Sequence, residues 1–516
     1  MGASPRPTVE AMATVPAQLR GRIVSAMRWT LWLSVAAVPF SYGTSVLLAR
    51  SGPDVIGTYG LLMVYVGVAS SLFYLGGDAV VVKFVPEMEP GNRFPFLVSY
   101  FLVILVALMP WLGATLLWPG KLHYIFGDRG GPGFYTLVLF LAPLYIAFLL
   151  IVAALKAVLD MRWANALLRL VTIGSFAIYA SLFFRFREAL RIHAGGLIWG
   201  TFLGLTAIAS VLGFLHLAGL ESWRTEWRTF SFFLPRRFWR YTLSTQQVSA
   251  VGFFLQRLDL ILILNFGGLA VLGEYVAIFS LAEALRTANR FFADTLLPSL
   301  TNAIASRDLN AASQIFGTNL RILFLVNVAA TSGLALLAGL IIKLFGPQYA
   351  SLRPLLILMV VGAGLAAPGG IGGTLLTSMG KQQRSFWVSI GQLALFLLLF
   401  FTLWPRHQLL GAVLASGLSM VASYWALLAT AKYSTPVRFS AGKDYTTFAL
   451  ATIVCGGVAL GWPSLSVVGV LVVWVGVMGL FLVASHYQLD ECRQLVQCFL
   501  PVWPASAGAP SERHKS

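Results

Sequence analysis

The chain has 516 residues, 58% of them hydrophobic and 11% charged, against roughly 25% charged in an ordinary soluble domain. With a mean hydropathy of +0.81, these values exclude a soluble globule and fit a polytopic membrane protein, in which each crossing takes about 20 helical residues. The formal charge of +17 is met by basic loops and a few intramembrane positions rather than by a nucleic-acid partner. Cys455, Cys492 and Cys498, the three cysteines, have neither metal-ligand spacing nor a disulfide framework, so no metal and no cofactor are expected.

Residues 1–23 are polar, are broken by Pro5, Pro7 and Pro16, and read as a cytoplasmic tail without the apolar core of a cleaved signal. Apolar spans follow at about 24–49, 56–83, 96–118, 134–158, 162–185 and 194–219, then at about 239–265, 272–297, 320–345, 352–377, 385–404 and 409–432, and finally at about 444–462 and 464–486. The expected fold is therefore all-α, with about fourteen transmembrane helices. The most polar stretch of the body, Glu221 to Arg240, divides an N-terminal six-helix lobe (24–219) from a C-terminal six-helix lobe (239–432), with 220–238 as a cytoplasmic linker. Residues 433–486 add a helix pair and 487–516 a second cytoplasmic tail. With the N-terminus inside, roughly 22 of the Lys and Arg residues fall in cytoplasmic segments and roughly 9 in external ones. The expected location is a bacterial cytoplasmic (inner) membrane with both termini cytoplasmic.

The two lobes read as repeats. Gly52, Gly57, Tyr59 and Asp78 recur at one constant offset as Gly268, Gly273, Tyr275 and Asp294, Phe126-Gly127 answers to Phe345-Gly346, and Gly196 answers to Gly411. An even number of helices per repeat makes the two lobes parallel, related by an axis along the membrane normal. Loops of no more than about 15 residues leave no room for a catalytic domain. Nor do they offer the acidic or His cluster that a membrane glycosyltransferase, polysaccharide polymerase or ligase would need. An enzyme is not expected.

Four stretches carry a resemblance: Leu47 to Glu87 (LLARSGPDVIGTYGLL and LGGDAVVVKFVPE), Arg257 to Glu283, Leu344 to Met359, and the small-residue run Gly411 to Ser419. In combination they resemble the polysaccharide-biosynthesis, O-antigen-type flippases of the multidrug/oligosaccharidyl-lipid/polysaccharide exporter superfamily, over residues of about 25 to 435. The resemblance implies two six-helix lobes around a cavity that opens alternately to each side. It also implies a polyprenyl-pyrophosphate-linked oligosaccharide as cargo for surface polysaccharide or exopolysaccharide assembly, with membrane lipids, a polysaccharide polymerase and other assembly proteins as partners. The runner-up is a drug or cation antiporter of the same broad fold.

Ionisable residues inside a bilayer cost about 2.5–3.5 kcal/mol each on insertion scales, so those retained face a wet cavity or a partner. Glu283, Arg286, Arg290 and Asp294 are spaced three, four and four apart, one stripe of the eighth helix, and Gln246, Ser249, Phe253 and Arg257 form a second stripe on the seventh. Arg257, Arg286 and Arg290 are staggered over about 13 Å around the midplane, a ladder suited to a pyrophosphate because the guanidinium fork stays charged. The competing reading pairs Glu283 with Arg286 and Arg290 with Asp294 as structural neutralisation. Gln246, Asp78 and Asp259 are further cavity or coupling candidates, Asp259 with a structural ion pair as its main expectation, and Arg169 is expected to snorkel or to line the inner mouth. Pro39, Pro143 and the run Pro368-Gly369-Gly370-Ile371-Gly372-Gly373 interrupt three helices as hinges or close-packing points.

Overall fold

The computed structural model describes residues 33, 36–117, 132–158, 160–220, 232, 234–235, 237–305, 307–439, 442–462 and 466–485, and among them every regular element is helical. In chain order α1 covers 36–51. α2 has two pieces, α2a (Pro53–Val68) and α2b (Asp78–Glu87), and α3 (Pro90–Leu117), α4 (Pro132–Ala157), α5 (Met161–Arg185) and α6 (Ala194–Gly219) complete the first lobe. α7 and α8 share the continuous helical stretch Phe238–Ala305, and α9 runs through Leu309–Leu336 into Ala338–Phe345. α10 comprises Arg353–Ala366, a 3-10 turn at Ala367–Gly370 and Ile371–Ser378. α11 and α12 share Gln382–Ser434, and α13 (Gly442–Gly461) and α14 (Val467–Ala484) follow. Among the described residues, ten helical stretches are long and apolar enough to cross a membrane.

Two of those ten are hairpins. Within Phe238–Ala305 the backbone leaves helical geometry at Gly268 (φ 79°, ψ −177°). The Tyr275 hydroxyl donates to the Asp259 carboxylate at 2.6 Å across 16 positions of sequence, which an unbroken helix would hold about 24 Å apart. Gly268 has the left-handed φ that a side chain resists, and it turns α7 (238–267) back against α8 (269–305). The second reversal falls at Gln408 (φ 44°): a side chain at Gly411 would collide with the backbone of Leu403, eight positions back, so α11 (382–407) and α12 (409–434) are also antiparallel. Counting each hairpin twice and adding α1 and α14 gives the fourteen segments read from the sequence.

The repeat register reappears as a reciprocal contact. A Cβ at Gly57 of α2 would collide with the Leu269 carbonyl of α8, and a Cβ at Gly273 of α8 would collide with the Pro53 carbonyl of α2. Gly57 and Gly273 are equivalent by the repeat offset, and so are Pro53 and Leu269. This is the self-complementary pattern of a two-fold interface, residue i on j and j on i. Two absent side chains thus let α2 and α8 cross at van der Waals distance.

Around this seam the lobes are tied together at the end that carries the α1–α2 and α7–α8 turns. Arg50 Nε donates to the Leu344 carbonyl at 2.7 Å, Gln348 Nε2 to the Ala49 carbonyl at 3.1 Å, and Tyr42 meets Phe345 edge-on at 5.6 Å. The main apolar core spans both lobes there. Toward the opposite end a second core forms from α8 to α14, with Phe316, Phe324 and Phe448 among its largest members and, among the described residues, none of α1 to α6. The first turns of α7 go the other way, Phe238 packing on Phe84, Phe96 and Tyr100 of the N-terminal lobe.

Candidate functional site

The site grows from α8. Glu283 and Arg286, one turn apart, approach to 3.4 Å, as their i,i+3 spacing allows. The Arg286 guanidinium also lies 2.7 Å from Met420 Sδ of α12 and over the Phe279 ring at 5.2 Å. Its Nε is buried with no hydrogen-bond partner. Sulfur and aromatic faces are weak acceptors, so the fork retains much of its capacity for a stronger one.

These neighbours look into different spaces. Glu283, with Arg169, Ser280, Ser41, Ser45 and Tyr42, lines a cavity of about 230 Å³ between α1, α5 and α8, at the junction of the lobes. Arg286, with Asn289, Ser389, Gln392 and Tyr424, lines a cavity of about 270 Å³ inside the C-terminal lobe, enclosed by α7, α8, α10, α11 and α12. A three-residue step turns the helix by about 60° short of a full circle, enough for α8 to serve as the wall between two chambers. Asn289 is fixed by a reciprocal amide pair with Asn327 of α9, at 3.0 and 2.8 Å.

Arg257 faces the first lobe: its Cγ lies 3.3 Å from where a Cβ would stand on Gly67 of α2. Arg257 thus packs on α2 of the first lobe, whereas Arg286 lines the cavity of the C-terminal lobe. The backbones of Arg290 and Asp294 are on α8, while their side chains, and that of Ser249, lie outside the described residues. Asp259 is buried, and in place of the expected ion pair it accepts the Tyr275 hydroxyl and its neighbouring amide, Leu260 N–H, at 2.8 Å. It shares a pocket of about 20 Å³, the size of a water, with Arg286, Gln392, Ser416 and Ser419.

Gln246 and Asp78 belong to a break in α2 that hydropathy had run through as one span. After α2a the chain passes through a π-helical turn (Ala69–Phe73) and then Leu75, Gly76 and Gly77, all with positive φ. Gln246 Nε2 donates to the Ser71 and Leu72 carbonyls at 2.8 Å, its Oε1 accepts the Gly76 N–H at 2.9 Å, and the Tyr100 hydroxyl serves the Tyr74 and Leu75 carbonyls. The backbone groups that a broken membrane helix exposes are thereby satisfied. Asp78 opens α2b and pairs with Lys156 of α4 at 2.5 Å. The equivalent stretch of α8 continues as helix, so the repeats differ here. Pro39 lies on an exposed side of α1, whereas Pro368 and Gly369 are buried and Gly370 half-buried in the 3-10 turn of α10. A Cβ at Gly369 would clash with the Tyr424 backbone, and one at Gly372 with the backbone of Leu427 and Leu428, which is close packing through small residues.

Asn289, Gln392, Ser389 and Tyr424 join the cavity without being among the residues that the sequence singles out. Asn289 was within reach, three positions after Arg286 on the same stripe, but the others come from α11 and α12 and carry no local signature. Among the described residues no three His, Cys, Asp or Glu side chains gather as a metal would require.

No family model and no curated protein matches this sequence, but solved structures match its fold. The lipid II flippase MurJ in an inward closed conformation aligns with a TM-score of 0.67 at 12% identity, over 89% of this chain and 99% of that one. An inward-facing multidrug resistance MATE family transporter of the MOP superfamily aligns at 0.63 and 12% identity, over 77% and 94%. An outward-facing transporter of that family aligns at 0.56 and 14% identity, over 84% and 98%. The chain has the fold of these multi-pass membrane transporters.

Proposed function

We propose that this protein is a flippase that moves a polyprenyl-pyrophosphate-linked oligosaccharide across the cytoplasmic membrane by alternating access, with Arg257, Arg286 and Arg290 as contacts of the pyrophosphate. The observation that carries the reading is Arg286, a guanidinium at bilayer depth whose Nε has no acceptor and which opens on a 270 Å³ cavity. The carboxylate partner of Arg286, Glu283, meets it at a single 3.4 Å contact, and a phosphate is the acceptor that the planar fork fits. Arg169 of the junction cavity adds a fourth cation, from the first lobe. If the basic linker is cytoplasmic, the tied end faces outward and this is an inward-facing state.

The cycle then needs no bond chemistry. A carrier head group enters from the open end, its phosphates meet the arginines beside α8, and the seam at Gly57 and Gly273 parts as the opposite ends close. The experiment is deletion of the gene, followed by identification of the carrier-linked oligosaccharide that accumulates on the cytoplasmic side. No accumulation, with drug efflux lost instead, would reverse the order of the two transporter readings. The carboxylates Asp259, Glu283 and Asp78 favour that second reading, a proton-coupled antiporter, and a pH-sensitive dye in proteoliposomes separates the two.

A further inference from the structure

The cavity inside the C-terminal lobe contains more polar side chains than a phosphate needs. Arg286 and Asn289 stand on one wall, Ser389 and Gln392 on α11 opposite, and Tyr424 on α12. Asn289 is held in place by Asn327, and the buried Arg286 Nε has no acceptor. An amide, hydroxyls and a phenol gathered at mid-bilayer depth are expensive in an apolar surround, so their retention calls for a ligand that exchanges hydrogen bonds in both directions. Residues of α10 and α12, with Leu255 and Gly252 of α7, form the rest of the lining, and a Cβ at Gly252 would meet nothing within 4 Å, so space is left where a side chain could stand.

We infer that this cavity binds the sugar ring next to the pyrophosphate, so that the carrier is read by its first sugar as well as by its charge. The inference rests on the flippase reading and adds a second subsite to it. Sugar hydroxyls both donate and accept, which suits Gln392 and Ser389, whereas Asn289, whose N–H donors go to Leu285 O and Asn327 Oδ1, can only accept. The Tyr424 ring offers an apolar face to the C–H side of a pyranose. Arg286 joins the two subsites because it lies beside Glu283 at the wall and also lines the cavity. A phosphate held by its fork therefore places the adjoining sugar at the cavity mouth. The volume of about 270 Å³ suits a single ring, so the rest of the oligosaccharide remains in the space between the lobes.

The test uses the full-length protein in nanodiscs and three probes. These are undecaprenyl pyrophosphate, the carrier-linked oligosaccharide extracted from a deletion strain, and the free oligosaccharide released from it by mild acid. Wild type should bind the glycosylated carrier about tenfold or more tighter than bare undecaprenyl pyrophosphate, consistent with one to two added hydrogen bonds. Gly252→Leu, which fills the cavity, and Gln392→Leu, which removes an amide, should each bring that ratio close to unity by weakening glycosylated carrier far more than bare carrier. Equal binding of the two carriers by wild type, or an unchanged ratio in both variants, would overturn the sugar site and leave the flippase reading intact. Free oligosaccharide binding as tightly as the glycosylated carrier would show a soluble-sugar site and overturn the link to the carrier. If no carrier-linked oligosaccharide accumulates on deletion, the flippase reading fails and this inference fails with it.

Discussion

Arg286 has a carboxylate, a thioether and an aromatic face around one guanidinium, and the carboxylate meets it at one 3.4 Å contact rather than through the two parallel bonds that a phosphate can accept. Arg286→Lys keeps the charge but loses the planar fork, so transport by this variant should fall clearly, and Arg286→Ala should be worse by about ten- to a hundredfold. Glu283→Gln should impair transport less than either, because the carboxylate mainly positions its neighbour. Complementation at matched membrane abundance measures all three, and wild-type transport by Arg286→Ala, Arg257→Ala and Arg290→Ala alike would reject the ladder. That α8 is rich in ionisable residues is plain from the sequence. The division of its stripe between two chambers is not, because the walls opposite Glu283 come from α1 and α5 and those opposite Arg286 from α11 and α12, more than a hundred positions away.

Among elements, α2 departs most from its sequence pattern. Its hydropathy runs on through residues 69–77, and the pair Gly76-Gly77 was the one local sign of a break. What stabilises the break is remote: Gln246 on α7 and Tyr100 on α3 supply the hydrogen bonds that the chain gives up there. Gln246→Ala should leave two carbonyls and one N–H with fewer partners, at about 1–3 kcal/mol per buried group. The expected result is a lower unfolding temperature in detergent for Gln246→Ala, with carrier binding still measurable in the folded fraction. Unchanged stability would mean that water or a local rearrangement serves the break. α10 shows the opposite relation, since its glycine run is obvious in sequence but its use, contact with the α12 backbone at Gly369 and Gly372, depends on a partner that local pattern cannot name.

At the scale of the molecule, the number of helices and the register of the repeat follow from sequence because hydrocarbon thickness fixes span length and the seam requires glycine at equivalent places. The topology we expect rests on the basic linker. Reporter fusions should place 221–240 and both termini on the cytoplasmic side, and an external linker would invert the whole arrangement. The tied end gives a second check. In a background lacking the three cysteines, Arg50→Cys and Leu344→Cys should be joined by a short bismaleimide and transport should stop, since alternating access needs that end to part. Gly57→Leu should reduce the yield of this crosslink, because its side chain forces α2 from α8, whereas transport unaffected by crosslinking would show that the end never opens.

The seam between Gly57 and Gly273 also bears on the history and assembly of the chain. A surface complementary to its own copy does not need a covalent connection to find its partner, so a single-lobe ancestor with that glycine would have dimerised before any gene fusion. The connection that now joins the lobes would then raise their effective concentration without creating their affinity. Co-expressed as two polypeptides divided within 221–231, the halves should copurify and recover transport, and a Gly273→Leu half should fail to capture its partner.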